Sequence, residues 1–354
     1  MKKELFGRMG DGTEVSLITL ANKKGMKAVV SDLGAVLVSL IVPDRDGNPV
    51  DVVTGYGSAA GYEEAHGCFG ATIGRNGNRI GGGLFSINGT EYQLQKNQAG
   101  KHSLHSGPAG YQKRKWNYEE EEGDDAQAVT FFINSPDGDQ GFPGSLDVEV
   151  TYTLTDDNEL MISYYGMSDK DTVFNMTNHS YFNLNGHASG DVLGHTVIIY
   201  SDAITATDAD QIPTGELIDV TGTPFDFREP HTIGERIGDR SDINIVIGNG
   251  YDHNFVVNGG QRQEDAQLVA SCRGDRTGIV MEVYTDLPDM QMYTANTTDI
   301  ADGKDGVHYR PHCGVCFETQ YAPNAVNIPA FRSPVIKAFE ERQSLTVYRF
   351  LTEA

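Results

Sequence analysis

Short segments with period-two alternation recur from one end of this chain to the other, and that pattern constrains the fold more than any other feature. They run over residues 14–20, 35–42, 129–134, 146–154, 160–165, 197–200, 278–284, 314–320 and 344–350. Each carries apolar and polar residues on opposite faces, the signature of a half-buried strand. Turn signals such as Asp46-Gly47-Asn48, Asn88-Gly89, Asp137-Gly138 and Asp156-Asp157-Asn158 separate them. Helical periodicity is confined to two short stretches, Tyr62 to His66 and Ile233 to Gly238. So many strands with short connections predict an all-β fold, a large antiparallel β-sandwich with few short helices. No repeat, low-complexity tract or linker divides the chain, so residues 1–354 are expected to form a single domain. The acidic run Glu119 to Asp125 reads as a solvated hairpin end.

Charge and composition exclude several classes of partner. With 27 Lys+Arg against 50 Asp+Glu the net charge is −23, which repels nucleic acid, anionic membranes and phosphorylated substrates. A neutral small molecule is the easier ligand. No apolar run reaches the length of a membrane span, and the start Met1-Lys2-Lys3-Glu4-Leu5-Phe6-Gly7-Arg8 turns polar before a signal-peptide core could form. The four cysteines, Cys68, Cys272, Cys313 and Cys316, are too few and too irregular for a disulfide framework. A cytoplasmic location is the expectation. Gly81-Gly82-Gly83 lacks the context of a phosphate-binding loop, and no Gly-x-Ser-x-Gly elbow is present. His312-Cys313-Gly314-Val315-Cys316 has no second ligand pair at zinc-finger spacing. Neither a metal nor a cofactor is expected.

The residues able to do chemistry lie on or beside the alternating segments. In Asn175 to Leu184, alternation puts Asn175, Thr177, His179, Tyr181 and Asn183 on one face, opposite Met176, Phe182 and Leu184. Such a face suits the lining of a groove for a polyhydroxylated ligand, with an imidazole at its centre. In Gly314 to Gln320, Val315 and Phe317 face a core while Cys316, Glu318 and Gln320 face the other way. A mid-strand carboxylate there is either a partly desolvated general base or an ordinary exposed Glu. Gln291 and Tyr293 share a face opposite Met290 and Met292. Asp252 follows Gly250 into a strand, where an Asp serves as a turn residue or grips vicinal hydroxyls. His102 and His105 sit three apart on a loop, and Asn78-Arg79 offers an amide beside a planar fork.

Together these motifs resemble the aldose 1-epimerase (galactose mutarotase) family. The similar segments are Gly74-Arg75-Asn76-Gly77-Asn78-Arg79-Ile80, Leu104-His105-Ser106-Gly107 leading to Trp116, Asp137 to Gly144, Thr177 to Leu184, Pro213 to Glu216, Gly222 to Asp226, Tyr251-Asp252-His253 and Gly314 to Gln320. They occur in the family's order from about Gly34 to Tyr348. The resemblance implies the family's supersandwich with the sugar in an open cleft over one sheet. It implies Glu318 as general base, His179 as general acid and His105 as a second active-site histidine, and it puts Asn78, Arg79, Asp252 and Gln291 on sugar-contacting positions. Ser106, Tyr111, Asp289-Met290, Asn324 and a missing Pro-Gly after Phe331 depart from the family's pattern. Ser106 and Asp289 are expected to border the site and to bear on sugar preference.

The implied reaction interconverts the α and β anomers of a free aldohexose such as galactose or glucose, by opening the ring and closing it on the other face. A monosaccharide is then the only required partner, and the protein is expected to be a monomer or homodimer. Three rivals remain. A glycoside hydrolase would use Glu318 and Asp252 as paired carboxylates. A hexose-6-phosphate epimerase is disfavoured by the negative charge, and a sugar-binding or regulatory protein would keep the cleft without the chemistry.

Overall fold

The computed structural model describes residues 1–64, 67–260 and 265–353. Three antiparallel sheets carry the architecture. Lys2–Arg8, Glu14–Ala21, Lys27–Ser31, Val36–Pro43 and Pro49–Asp51 form a five-stranded meander. A nine-stranded sheet has Arg342–Thr352 at its centre, paired with Glu159–Ser168 on one side and Ile279–Thr285 on the other. The third sheet orders Pro213–Asp219, Ala203–Thr207, Asp252–Val256, Asp289–Tyr293 and Cys316–Gln320. Every paired ladder joins strands distant in the chain or linked by a hairpin, so the fold is an all-β sandwich, as the alternation requires.

The third sheet buries one face against the nine-stranded sheet. Phe255, Met290, Met292, Val315 and Phe317 join Val283, Tyr348 and Phe350 in one core, each at most 1% exposed. Tyr348 donates its hydroxyl to Phe317 O at 3.0 Å. Removing these side chains from water anchors the strand Cys316–Gln320 at roughly 1.5–3 kcal/mol per large residue. The opposite face of the same strand is thereby fixed toward the cleft, because side chains alternate.

All nine alternating segments form strands. The helical stretches appear as Ala59–Glu64 and Ile233–Arg236; the first starts earlier than its periodicity indicated, and His66 lies outside the described residues. A third short helix, Ile243–Gly248, has no counterpart in the sequence reading. Asp242 caps it by accepting from Asn244 N–H at 2.7 Å, and Asn249 ends it with φ of 52°. Most of the acidic run lies in the edge strand Asn117–Glu122, whose hairpin returns as Ala126–Ser135. No helix among the described residues is long and apolar enough to cross a membrane.

Candidate active site

Three neighbouring strands of the third sheet build the floor. In register, Asp252 faces Tyr293 and Tyr293 faces Cys316, while Asn254 faces Gln291 and Gln291 faces Glu318. Their apolar neighbours turn into the core, so the polar residues share one surface. Gly250, with φ of +130°, feeds the chain into this sheet where a Cβ would lie 2.6 Å from Asn296 Oδ1. Only glycine fits that approach without a shift. Glu318 is 2% exposed, which rules out the surface-strand alternative.

The facing wall comes from Thr177–His179, which pairs with Ala71–Ile73, and from the loops carrying Asn78 and His105. His179 Nε2 lies 3.6 Å from Glu318 Oε1. The imidazole stacks on Tyr181 at 4.9 Å and 20°, and meets the His105 ring edge-on at 5.2 Å. His105 and Asn78 hold each other: His105 N–H donates to Asn78 O at 3.0 Å, and Asn78 N–H donates to His105 Nδ1 at 3.1 Å. His102, by contrast, accepts from Gly82 N–H and lies outside the cleft lining.

The expectation that five side chains of 175–183 line a groove is only partly met. His179 and Tyr181 do. Asn175 instead clamps Tyr321 through its backbone N–H and C=O, and Asn183 donates to Gly190 O and Cys313 O. Thr177 is fully buried. The regular strand spans only Thr177–His179, so period two assigns no face to Asn175 before it or to Asn183 after it, and side-chain amides satisfy backbone groups that would otherwise be buried unpaired.

At the far end, Arg79, Gln211 and Asp252 form a linked set. Gln211 Nε2–H donates to Asp252 Oδ2 at 2.8 Å and its Oε1 accepts from Arg79 NH2 at 2.8 Å. Arg79 NH1 also donates to Asn78 Oδ1 at 3.2 Å, and its NH2 stands 3.9 Å from Asp252 Oδ2. Gln291 donates to Asp252 Oδ1 at 2.7 Å and is not itself among the lining residues. Gln211 escaped the sequence reading because it sits in a loop with positive φ (62°), with no strand or motif to mark it. The cleft encloses about 610 Å³, in the range of small-molecule sites. Ile247, Asn249 and Thr297 to Ile300 line its remaining edge.

Burial dominates the electrostatics. It pushes the Glu318 carboxyl well above its usual range, with Asp252 adding to the rise and Arg79 opposing it. It pushes His179 down to about 4, and His105 also well below its ordinary value, helped by His179 and Arg79. The low dielectric therefore disfavours two charges side by side, and one proton shared between Glu318 and His179 is the arrangement it favours.

His105, His179 and Glu318 place one ligand-type atom each within 4.8 Å of one another, the only such trio among the described residues. Their hydrogen bonding does not suit a metal. His105 Nδ1 accepts from a backbone N–H, so the neutral ring carries its proton on Nε2, which then donates and cannot ligate. His312 and Cys316 diverge, His312 toward Thr294 O and Cys316 toward His179.

Neither Ser106 nor Asp289 lines the cleft, contrary to their expected place at its border. Ser106 exchanges hydrogen bonds with Asn76, and Asp289 accepts from Asn254 beneath the surface. Asn324 accepts from Gly81 N–H, while its own N–H donates to Arg79 O, which fixes the arginine's backbone.

The sequence profile of the aldose 1-epimerase family matches residues 16–349. The chain belongs to the aldose 1-epimerase family. Membership puts it among isomerases. It is 38% identical to galactose mutarotase of Sus scrofa over 98% of both chains, and 36% identical to aldose 1-epimerase of Escherichia coli K12 over 97% of both. Among solved structures it resembles the galactose 1-epimerase of Lactobacillus acidophilus with a TM-score of 0.86 and 25% identity, covering 100% of this chain and 99% of that one. An aldose epimerase homologue from C. elegans gives the same TM-score at 28% identity, over 96% and 100%. The family's sandwich and the polar cleft built on its third sheet thus belong together.

Proposed function

We propose that this chain interconverts the α and β anomers of a free aldohexose such as galactose or glucose, with Glu318 as general base and His179 as general acid. Glu318 takes the proton of the C1 hydroxyl while His179 protonates the ring oxygen, the ring opens, and rotation about C1–C2 followed by closure yields the other anomer. The observation that carries this reading is the 3.6 Å approach of Glu318 Oε1 to His179 Nε2 in a buried cleft. Two oxygens bonded to the same sugar carbon can be served by two groups that close. The reaction consumes no net proton, so a couple holding a single proton suffices, and closure returns it.

Arg79, Asn78 and Asp252 would grip hydroxyls remote from C1, leaving the open aldehyde free to turn. His105, with Nε2–H free to donate, would steady an oxygen near the reacting carbon. A hydrolase reading finds less support: the titratable group that approaches Glu318 is the His179 imidazole at 3.6 Å, not a second carboxyl, and Asp252 is tied into the hydrogen-bond set of Gln211 and Gln291. The protein would act on free sugar in the cytoplasm as a monomer or homodimer.

Polarimetry on freshly dissolved α-D-galactose and α-D-glucose tests the proposal. The wild type should speed the decay of rotation, and Glu318→Gln and His179→Asn should each slow turnover by roughly 10²–10⁴-fold. Near-normal turnover in either variant removes that residue from its role.

A further inference from the structure

The chain just beyond His179 sets an aromatic ring flat against its imidazole. Tyr181 lies 4.9 Å from the His179 ring at an angle of 20°, and at 6% exposure it leaves little surface for a pyranose. Phe69 and Tyr293 meet Tyr181 at near-right angles, 4.7 and 6.0 Å away, so the phenol ring is itself held in place. Its backbone is pinned as well: Tyr181 O accepts from Thr54 N–H at 3.0 Å, and Phe182 exchanges hydrogen bonds with Val315 at 2.8 and 2.9 Å. Gly314 passes close behind, where a Cβ would lie 2.9 Å from Tyr181 Cβ, an approach that glycine allows without a shift. The segment that seats Tyr181 thus runs straight on into the strand carrying Glu318.

We infer that Tyr181 is a positioning residue whose ring face backs the His179 imidazole, keeps Nε2 toward Glu318 and steadies positive charge on the ring while it carries the transferable proton. This rests on the reading of His179 as the acid. Ring opening starts from a Glu318 carboxylate and a His179 imidazolium. It ends with a protonated Glu318 and a neutral His179 that keeps its Nδ1 proton. Burial opposes the first of these states, because it disfavours both charges. The π face of a phenol ring is electronegative and attracts a cation lying over it, most strongly where water is excluded. Burial holds the Tyr181 hydroxyl well above its ordinary pKa, so the ring beside the imidazolium remains a neutral phenol. It supports the cation without a charge of its own, and nothing on that side competes for the proton that moves.

Among the described residues, the other groups around the ring give less support. Glu318 stands 3.6 Å from Nε2 and is the partner in the exchange, not a fixed counter-charge. Cys316 Sγ lies 3.5 Å from Nδ1, and burial keeps its thiol protonated and neutral. His105, whose ring meets His179 at 5.2 Å, is kept neutral by burial and would only repel an imidazolium if charged. The His179 carbonyl and, at longer range, Asp252 favour the charged ring, but that carbonyl already accepts from Gly70 N–H at 3.0 Å. Tyr293 is farther off than Tyr181, at 6.2 Å, and steeply inclined at 83°.

The test replaces Tyr181 in the full-length protein by Phe, by Leu and, through amber suppression, by pentafluorophenylalanine, a ring of similar shape with an electropositive face. Mutarotation of galactose is followed by polarimetry across a range of pH. Tyr181→Phe should keep kcat within about threefold and the wild-type pH profile, because it keeps the face. Tyr181→Leu and the pentafluoro variant should each lose about tenfold in kcat, with KM within about twofold. An imidazolium without its backing gives up its proton more readily, so the limb of the kcat profile that reports His179 should move to lower pH by about 0.5–1 unit. If Tyr181→Leu does not fold, the comparison of Phe with its pentafluoro analogue decides the matter. Equal kcat and identical pH profiles for those two rings overturn the inference, and so does a loss confined to KM, which would make Tyr181 a sugar platform. Failure of the catalytic reading would look different: His179→Asn would keep its activity, whatever ring stands at position 181.

Discussion

Gln211 ties Asp252 to the opposite side of the cleft, donating from Nε2 to Asp252 Oδ2 at 2.8 Å while its Oε1 accepts from Arg79 at the same distance. An amide offers one donor and one acceptor side by side, as a pair of vicinal hydroxyls does. Arg79 and Asp252 are thereby held as a loose ion pair at 3.9 Å, too far apart for a direct hydrogen bond.

Removing that spacer should cost binding more than chemistry. In Gln211→Ala the guanidinium and carboxylate are free to close on each other, and their hydrogen-bonding capacity is spent internally. KM for galactose should rise about tenfold, with kcat changed by less than about threefold, which is the loss of roughly one hydrogen bond to a charged group. Steady-state mutarotation kinetics over a range of sugar concentrations reads both. An unchanged KM would mean that Gln211 only decorates the cleft.

Asp289 gives a stability prediction with a definite pH sign. Its carboxyl is 2% exposed, and burial pushes it up to about 7 despite the hydrogen bond from Asn254. The unfolded chain ionises this group near the ordinary value of about 3.9. Between those values the unfolded state binds fewer protons, so stability falls as pH rises, and the penalty is complete above about pH 7. Asp289→Asn keeps an acceptor for Asn254 and never ionises. It should stabilise the protein by about 1–3 kcal/mol at pH 8 and by almost nothing at pH 4. Thermal melts of both proteins at the two pH values would reveal an equal gain, or none, if the carboxyl is not under this strain.

Period two made the sandwich legible because most strands bury one face only, and the same rule fixed Glu318, Gln291 and Tyr293 on a common surface opposite Phe317, Met290 and Met292. It was blind to strands such as Lys2–Arg8 and Asn117–Glu122, edges whose residues are mostly exposed on both faces. It overreached at Asn175 and Asn183, where the chain leaves the extended ladder and amides turn to the backbone. The site's residues on ladders were therefore readable, and those on loops were not. Arg79 and His105 were legible through the family resemblance, whereas Gln211 and the rim helix Ile243–Gly248 depend on contacts between segments remote in sequence.

The rim itself is fastened by a buried lysine. Lys304 follows the cleft-lining stretch Thr297 to Ile300 and is 7% exposed. Its ammonium donates to Val38 O at 2.9 Å, Val53 O at 2.8 Å and Asp51 Oδ2 at 2.7 Å, so all three of its protons are engaged. Burial lowers its pKa, while Asp51, and to a smaller extent Asp305, hold it up, which leaves the charge dependent chiefly on Asp51. Lys304→Met fills the same space without the charge, stranding Asp51 with only Ser39 Oγ and backbone N–H groups for company. Losing one partner of a buried pair costs about 3–5 kcal/mol, less here to the extent that Asp51 can reach solvent. Chemical denaturation should therefore give a lower midpoint at unchanged slope. The loosened rim should also raise KM while kcat, set by Glu318 and His179 on the rigid ladders, holds within about threefold. A midpoint shift worth less than about 1 kcal/mol would show the lysine to be packing rather than fastening.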